Sequence, residues 1–171
     1  MDFVEGLPLS GGKNVVFVVV DRLTKYAHFM GLKHPYTAAG AAQVFVDNVF
    51  KLHGFPSVIV SDRDPIFTSK FWKEIFRIQG VSLHLSFAYH SQTDGQTKAV
   101  NKCLETYLRC VAGDQPKGWS KWLSLAERWY NSTFHSTVRL TPFEALYGYD
   151  PPVHLPYLPE SSYVFQVDRQ L

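Results

Sequence analysis

Asp2 and Asp62 are two carboxylates of this chain that could act together. Asp2 lies in an apolar segment at the start of the chain, and Asp62 follows the short run Val58-Ile59-Val60-Ser61. Two carboxylates delivered by neighbouring strands can share a hard divalent cation such as magnesium. Two such ions about 4 Å apart stabilise both the attacking and the leaving oxygen of a phosphodiester. Spacing alone leaves a plainer reading open, because Asp is common at turns and Asp21 and Asp64 are equally eligible. Thirty-five residues separate Asp62 from Lys98, the last residue of the polar run His90-Ser91-Gln92-Thr93-Asp94-Gly95-Gln96-Thr97-Lys98. Gln92, Thr93 and Gln96 can donate to phosphates or base edges, and His90, Asn101 and Lys102 extend that polar set. The same composition also describes an ordinary loop in which Asp94 caps the next helix.

The elements around these residues follow from periodicity. Residues 1–5 read as a strand. Residues 14–21 contain six consecutive apolar residues, the pattern of a strand buried on both faces. Residues 25–32 return as its antiparallel partner. Thr37 is placed to cap a helix to about His53, with Ala41, Phe45, Val49 and Leu52 on one stripe, and Gly54 stops it. Val58 to Val60 form a buried strand that delivers Asp62. A helix is expected over 69–78, a strand over 81–87 and a loop over 89–95. A long helix then runs to about Val111. Its buried stripe is Val100, Leu104, Leu108 and Val111; Lys98, Lys102, Glu105 and Arg109 fall on the opposite, charged face. Residues 119–131 form a further helix whose Trp119, Trp122 and Trp129 suit a core or a subunit interface. Thr141-Pro142 opens a last short helix through Tyr147. Strands and helices in this order suit a mixed sheet with helices on both faces.

Composition sets the frame. The chain has 171 residues, enough for one compact domain with a real core. Apolar residues at 46% and charged residues at 19% are globular proportions. The net charge of +2 permits a nucleic-acid partner without requiring one. Cys103 and Cys110, seven apart on the long helix, are too far apart to bridge. Two thiols favour a reducing compartment, nucleus or cytoplasm. No apolar run approaches the roughly 18 residues that span a membrane. His28, His34, His53 and His84 are scattered, with no metal-finger spacing, and receive no ligand role. Four prolines from Pro151 onward mark residues 151–171 as an extended tail or linker after a domain over 1–150.

The motifs resemble the catalytic core of integrases from gypsy-class long-terminal-repeat retrotransposons. The matching stretches are Met1-Asp2-Phe3-Val4-Glu5-Gly6-Leu7-Pro8, Val20-Asp21-Arg22-Leu23-Thr24-Lys25-Tyr26-Ala27-His28-Phe29, Val60-Ser61-Asp62-Arg63-Asp64, residues 89–100, and Thr141-Pro142-Phe143-Glu144-Ala145-Leu146-Tyr147-Gly148. The resemblance implies an RNase H-like fold with a five-stranded mixed sheet flanked by helices. It also implies polynucleotidyl transfer assisted by magnesium or manganese, DNA as partner, and a homodimer. Asp2 matches the first catalytic carboxylate and metal ligand, and Asp62 the second. The third is a glutamate in the family, and here that position is Lys98. Ser91 stands where the family usually has proline. Two readings stay open: an integrase core impaired by Lys98, and a captured or domesticated integrase-like domain that binds DNA or protein.

Overall fold

The computed structural model describes residues 1–61, 65–69, 72–73, 82–85, 91–113 and 115–152, and of 82–85 and 91–94 the backbone only. Most of the expected helix over 69–78, most of the approach to residue 90 and the tail beyond Pro152 therefore lie outside the described residues.

Three strands form an antiparallel sheet: β1 (Asp2–Val4), β2 (Val15–Val20) and β3 (Ala27–Leu32). β2 is central, with Asp2 opposite Val18 and Val18 opposite Phe29. Its alternation splits one apolar run between two cores. Val15 and Phe17 join one cluster, and Val16 and Val18 the other. The β2–β3 turn is closed by the Asp21 carboxylate, which accepts from Thr24 N at 2.9 Å and Thr24 Oγ1 at 2.5 Å. These bonds help hold the turn that carries Lys25 in the left-handed region, at φ 67°.

On the first face, Thr37 caps α1 (Ala38–Phe45) as expected, its hydroxyl accepting from Gly40 N at 3.0 Å. A π-helical segment (Val46–Phe50) then leads into α2 (Lys51–His53), and Gly54 ends the run at φ 73°. Ala41, Phe45 and Val49 are buried, but Leu52 is 58% exposed, against expectation. The π segment accounts for the difference: i→i+5 bonding takes more residues per turn than an α-helix, so later positions fall off the original stripe. Phe3, Phe17, Phe67 and Trp72 fill this core, with Phe3 and Phe67 stacked at 4.9 Å. Phe67 comes from the one-turn helix α3 (Pro65–Thr68).

β4 (Val58–Ser61) and β5 (Ser82–Leu85) pair in parallel. All five expected strands are present, and the first three are antiparallel as expected. They do not form one continuous ladder among the described residues, however, but a three-stranded and a two-stranded sheet. β1 has only three residues, and its link to β4 includes the Met1 amine donating to Val60 O at 2.7 Å.

On the second face lies the long helix α4 (Ser91–Ala112). The loop expected over 89–95 is thus helical from Ser91 onward. Ser, Thr and Asp are at home in a first turn, where unpaired N–H groups attract oxygen. Val100, Leu104 and Leu108 are buried against β2 and β3 residues, while Lys98, Lys102, Glu105 and Arg109 are exposed, as their spacing predicts. Val111 is half-buried. The helix expected over 119–131 divides into a 3₁₀ segment (Pro116–Trp122) and α5 (Leu123–Ser132). Trp119 belongs to the core of this chain, with its indole N–H donating to Pro8 O at 2.7 Å, whereas Trp122 and Trp129 are partly exposed. A capping box between Thr141 and Glu144 opens α6 (Pro142–Tyr147), and Gly148 at φ 80° closes it.

Candidate active site and nucleic-acid interface

Asp2 is half-buried on β1, at the edge that meets β4. Its Oδ1 accepts from Phe3 N at 2.9 Å and its Oδ2 from Asn101 Nδ2 at 2.8 Å. Asn101, which the sequence pointed to only as a nucleic-acid contact, therefore ties α4 to the first candidate carboxylate across 99 residues of chain. Its Oδ1 is buried without a hydrogen-bond partner among the described residues. Such an acceptor is costly unless something else meets it.

Lys98 lies one turn before Asn101, so the two side chains share a helix flank. Lys102 and Gln96 are exposed on the same helix. For Gln92 and Thr93 the backbone sits in the first turn of α4, and their side chains are outside the described residues; Asp62 and His90 lie outside them altogether. The structure thus brings Asp2, Asn101 and the Lys98 turn together. Asp62 is represented by its approach: Ser61 is fully buried, and Val60 is held by the Met1 amine.

Asp2 offers carboxylate oxygens of the kind a hard divalent cation takes, and its expected partner Asp62 lies outside the described residues. Among the described residues no three His, Cys, Asp or Glu side chains gather to hold a cation. Both Asp2 oxygens already accept from N–H donors. An ammonium such as that of Lys98 has three donors and no lone pair, so it cannot serve as a ligand.

One cluster escaped the sequence reading. His28 Nδ1 lies 3.1 Å from Glu127 Oε1, and His28 Nε2 lies 2.9 Å from His53 Nε2. Burial and the neighbouring His28 push the His53 pKa down against an opposing pull from Asp21. Tyr26, packed on both histidines, has its phenol raised well above the usual range by burial, then by Tyr147 and Glu127. Twenty-five residues and an intervening helix separate the histidines, so no local spacing signals their meeting.

The chain is 40% identical over 159 residues to the Tf2-3 and Tf2-4 transposon polyproteins of Schizosaccharomyces pombe, an alignment covering 91% of this chain. Among solved structures, its fold matches a simian T-cell lymphotropic virus intasome in complex with PP2A regulatory subunit B56 gamma. That match has a TM-score of 0.72 at 19% identity, over 95% of this chain and 58% of the other. It also matches the HTLV-2 integrase catalytic core in complex with magnesium, in its trimeric form, at TM-score 0.66 and 16% identity, over 84% of this chain and 93% of that one.

The chain is thus similar to a segment of retrotransposon polyproteins and has the fold of retroviral integrase catalytic cores. No family model matches it. It spans 12% of the length of the curated relatives it matches. The RNase H-like α/β fold expected of an integrase core is present, with β1 and β4 meeting where Asp2 resides.

Proposed function

We propose that this integrase core engages DNA but has its phosphoryl transfer silenced by Lys98. The supporting observation is the place of Lys98 on α4, one turn before the Asn101–Asp2 bond. On the family pattern that position belongs to the third carboxylate. Two unit charges about 4 Å apart, at an effective dielectric near 20, interact by roughly 4 kcal/mol before desolvation. An ammonium on this turn of α4 therefore competes with a weakly held cation. Glu105 is no substitute, since seven residues of helix carry it about 10 Å farther along. When bound, magnesium or manganese would supply the Lewis acid and the activated nucleophile. Asp2 and Asp62 would hold it, and Asn101 would orient Asp2. Without a third carboxylate, end processing and strand transfer fall below detection.

The DNA surface is the exposed face of α4. Lys98, Lys102 and Arg109 run along it over about 16 Å, and Gln96 is exposed elsewhere on the same helix; His90, Gln92 and Thr93 precede them in the sequence as further candidate contacts. A second copy of the chain is expected against the exposed Trp122, Leu125 and Trp129 rather than the buried Trp119. The same exposed aromatic strip is what favours the second reading, a captured domain that serves as an interaction module, with residues 151–171 as its linker. The test is duplex binding as a function of salt. Three phosphate contacts give a slope of about −2.7 in log K against log salt, so affinity falls roughly 40-fold from 50 to 200 mM. A flat curve, or no binding at low salt, removes DNA as the partner.

A further inference from the structure

The His28–His53 pair has the makings of a site of its own, apart from the carboxylates. His28 lies on β3, 6% exposed. Glu127 is fixed behind it: one carboxylate oxygen meets His28 Nδ1 at 3.1 Å and the other accepts from Phe29 N at 2.7 Å. A carboxylate accepting from Nδ1–H assigns the His28 tautomer and leaves a lone pair on Nε2. That nitrogen points at Nε2 of His53, 2.9 Å away. His53 is exposed at the end of α2, just before the chain turns at Gly54. Both histidines line a cavity of about 520 Å³, together with Asp21, Tyr26, Gln96 and Thr97.

We propose that His28 and His53 bind a divalent cation of the zinc class, each through Nε2, with Glu127 orienting His28 from behind. In the metal-free state one proton bridges the two nitrogens. A cation replaces that proton. Nitrogen ligands at about 2.0–2.1 Å in tetrahedral geometry stand roughly 3.3–3.4 Å apart. The rings must open by about 0.4–0.5 Å, which the exposed His53 can supply by a small rotation about its side-chain bonds. Imidazole donors select zinc, cobalt or copper over magnesium, which demands oxygen. No third protein ligand gathers there among the described residues, so water from the cavity completes the coordination. The site is therefore looser than a structural four-ligand centre. It would tie β3 to the end of α2 at the turn that leads into β4 and toward Asp62.

The test is titration of the tag-free chain with Co²⁺, read by its visible absorption bands, followed by displacement with Zn²⁺. Saturable one-to-one binding is expected, with Zn²⁺ displacing Co²⁺ and a tenfold excess of Mg²⁺ leaving the bands intact. Substituting His53→Ala, or His53→Phe to keep the ring packing, should weaken binding at least tenfold. A Glu127→Gln change should cost about tenfold, as loss of an outer carboxylate does. Asp2→Asn should leave the bands unchanged, which separates this site from the carboxylate centre. Absence of saturable binding, or undiminished affinity in either His53 variant, overturns the proposal.

Discussion

Replacing Asn131 by alanine should unfasten α5 from the sheet. β3 is an edge strand, and its outward backbone groups are taken up by side chains of α5 instead of another strand. Asn131 Oδ1 accepts from Ala27 N at 2.9 Å and its Nδ2 donates to Ala27 O at 2.8 Å, both bonds buried. Asn131→Ala leaves one N–H and one C=O without partners in a closed setting. Each orphaned group costs about 1–3 kcal/mol, so the loss is about 2–6 kcal/mol, with a central value near 4. Against a total stability of about 5–15 kcal/mol that is a large fraction. With a urea slope of about 2 kcal/mol/M, the midpoint should fall by about 2 M at unchanged slope. Tryptophan fluorescence and far-UV circular dichroism read the same transition. Asn131→Asp, nearly isosteric, should be comparably harmful because its carboxylate opposes the Ala27 carbonyl. A midpoint shift below about 0.3 M for alanine, or a harmless aspartate, would refute the claim that paired hydrogen bonds rather than side-chain volume hold this junction.

Other consequences can be checked on the same footing. Leu104→Ala should cost about 2–5 kcal/mol because Leu104 is 1% exposed in the second core, while Glu105→Ala on the opposite face should stay within about 0.5 kcal/mol. Equal effects in chemical denaturation would mean that the face of α4 has been misassigned. Burial alone would raise the Asp21 pKa, yet hydrogen bonds from Thr24 outweigh it and hold the carboxyl below its ordinary value. A depressed folded-state pKa contributes stability that is present above the unfolded value, near 4, and lost as pH falls through the folded value. Thr24→Val should therefore flatten the acid limb of a stability–pH profile below about pH 5; an unchanged limb would assign it to other carboxylates.

Much of the frame was legible in the sequence because local chemistry and tertiary packing agree there. The run Val15–Val20 reads as a strand buried on both sides, and it is split between two cores. Thr37, Gly54 and the Thr141–Glu144 box mark helix ends by their own hydrogen bonds or dihedral angles. The two faces of α4 separate cleanly because spacings of three and four repeat along it. What escaped depends on partners far apart in the chain. The π segment that exposes Leu52 falls in Val46-Asp47-Asn48-Val49-Phe50, weak helix formers that carry no specific signal for i→i+5 bonding. Ser91 to Gly95 is polar and looked like loop, but a first helical turn tolerates the same residues. Asn101 reaches Asp2 across 99 positions, and Asn131 reaches Ala27 across 104. The histidine pair looks scattered in the sequence for the same reason, although its nitrogens lie 2.9 Å apart.

If a single positive charge on α4 is what silences phosphoryl transfer, Lys98→Glu should restore metal binding. Manganese binding can be followed by loss of the free-ion electron paramagnetic resonance signal, beside a disintegration assay on branched DNA with the same preparations. The parent chain should take up no manganese at its carboxylates. Lys98→Glu should bind at least one ion, and Asp2→Asn in that background should abolish it. Because manganese also accepts imidazole ligands, His53→Ala is included in both backgrounds to isolate the carboxylate signal. Phosphoryl transfer should rise from undetectable to measurable only in the Lys98→Glu chain. Two ions bound by the unaltered protein, or turnover with Lys98 in place, would contradict the account.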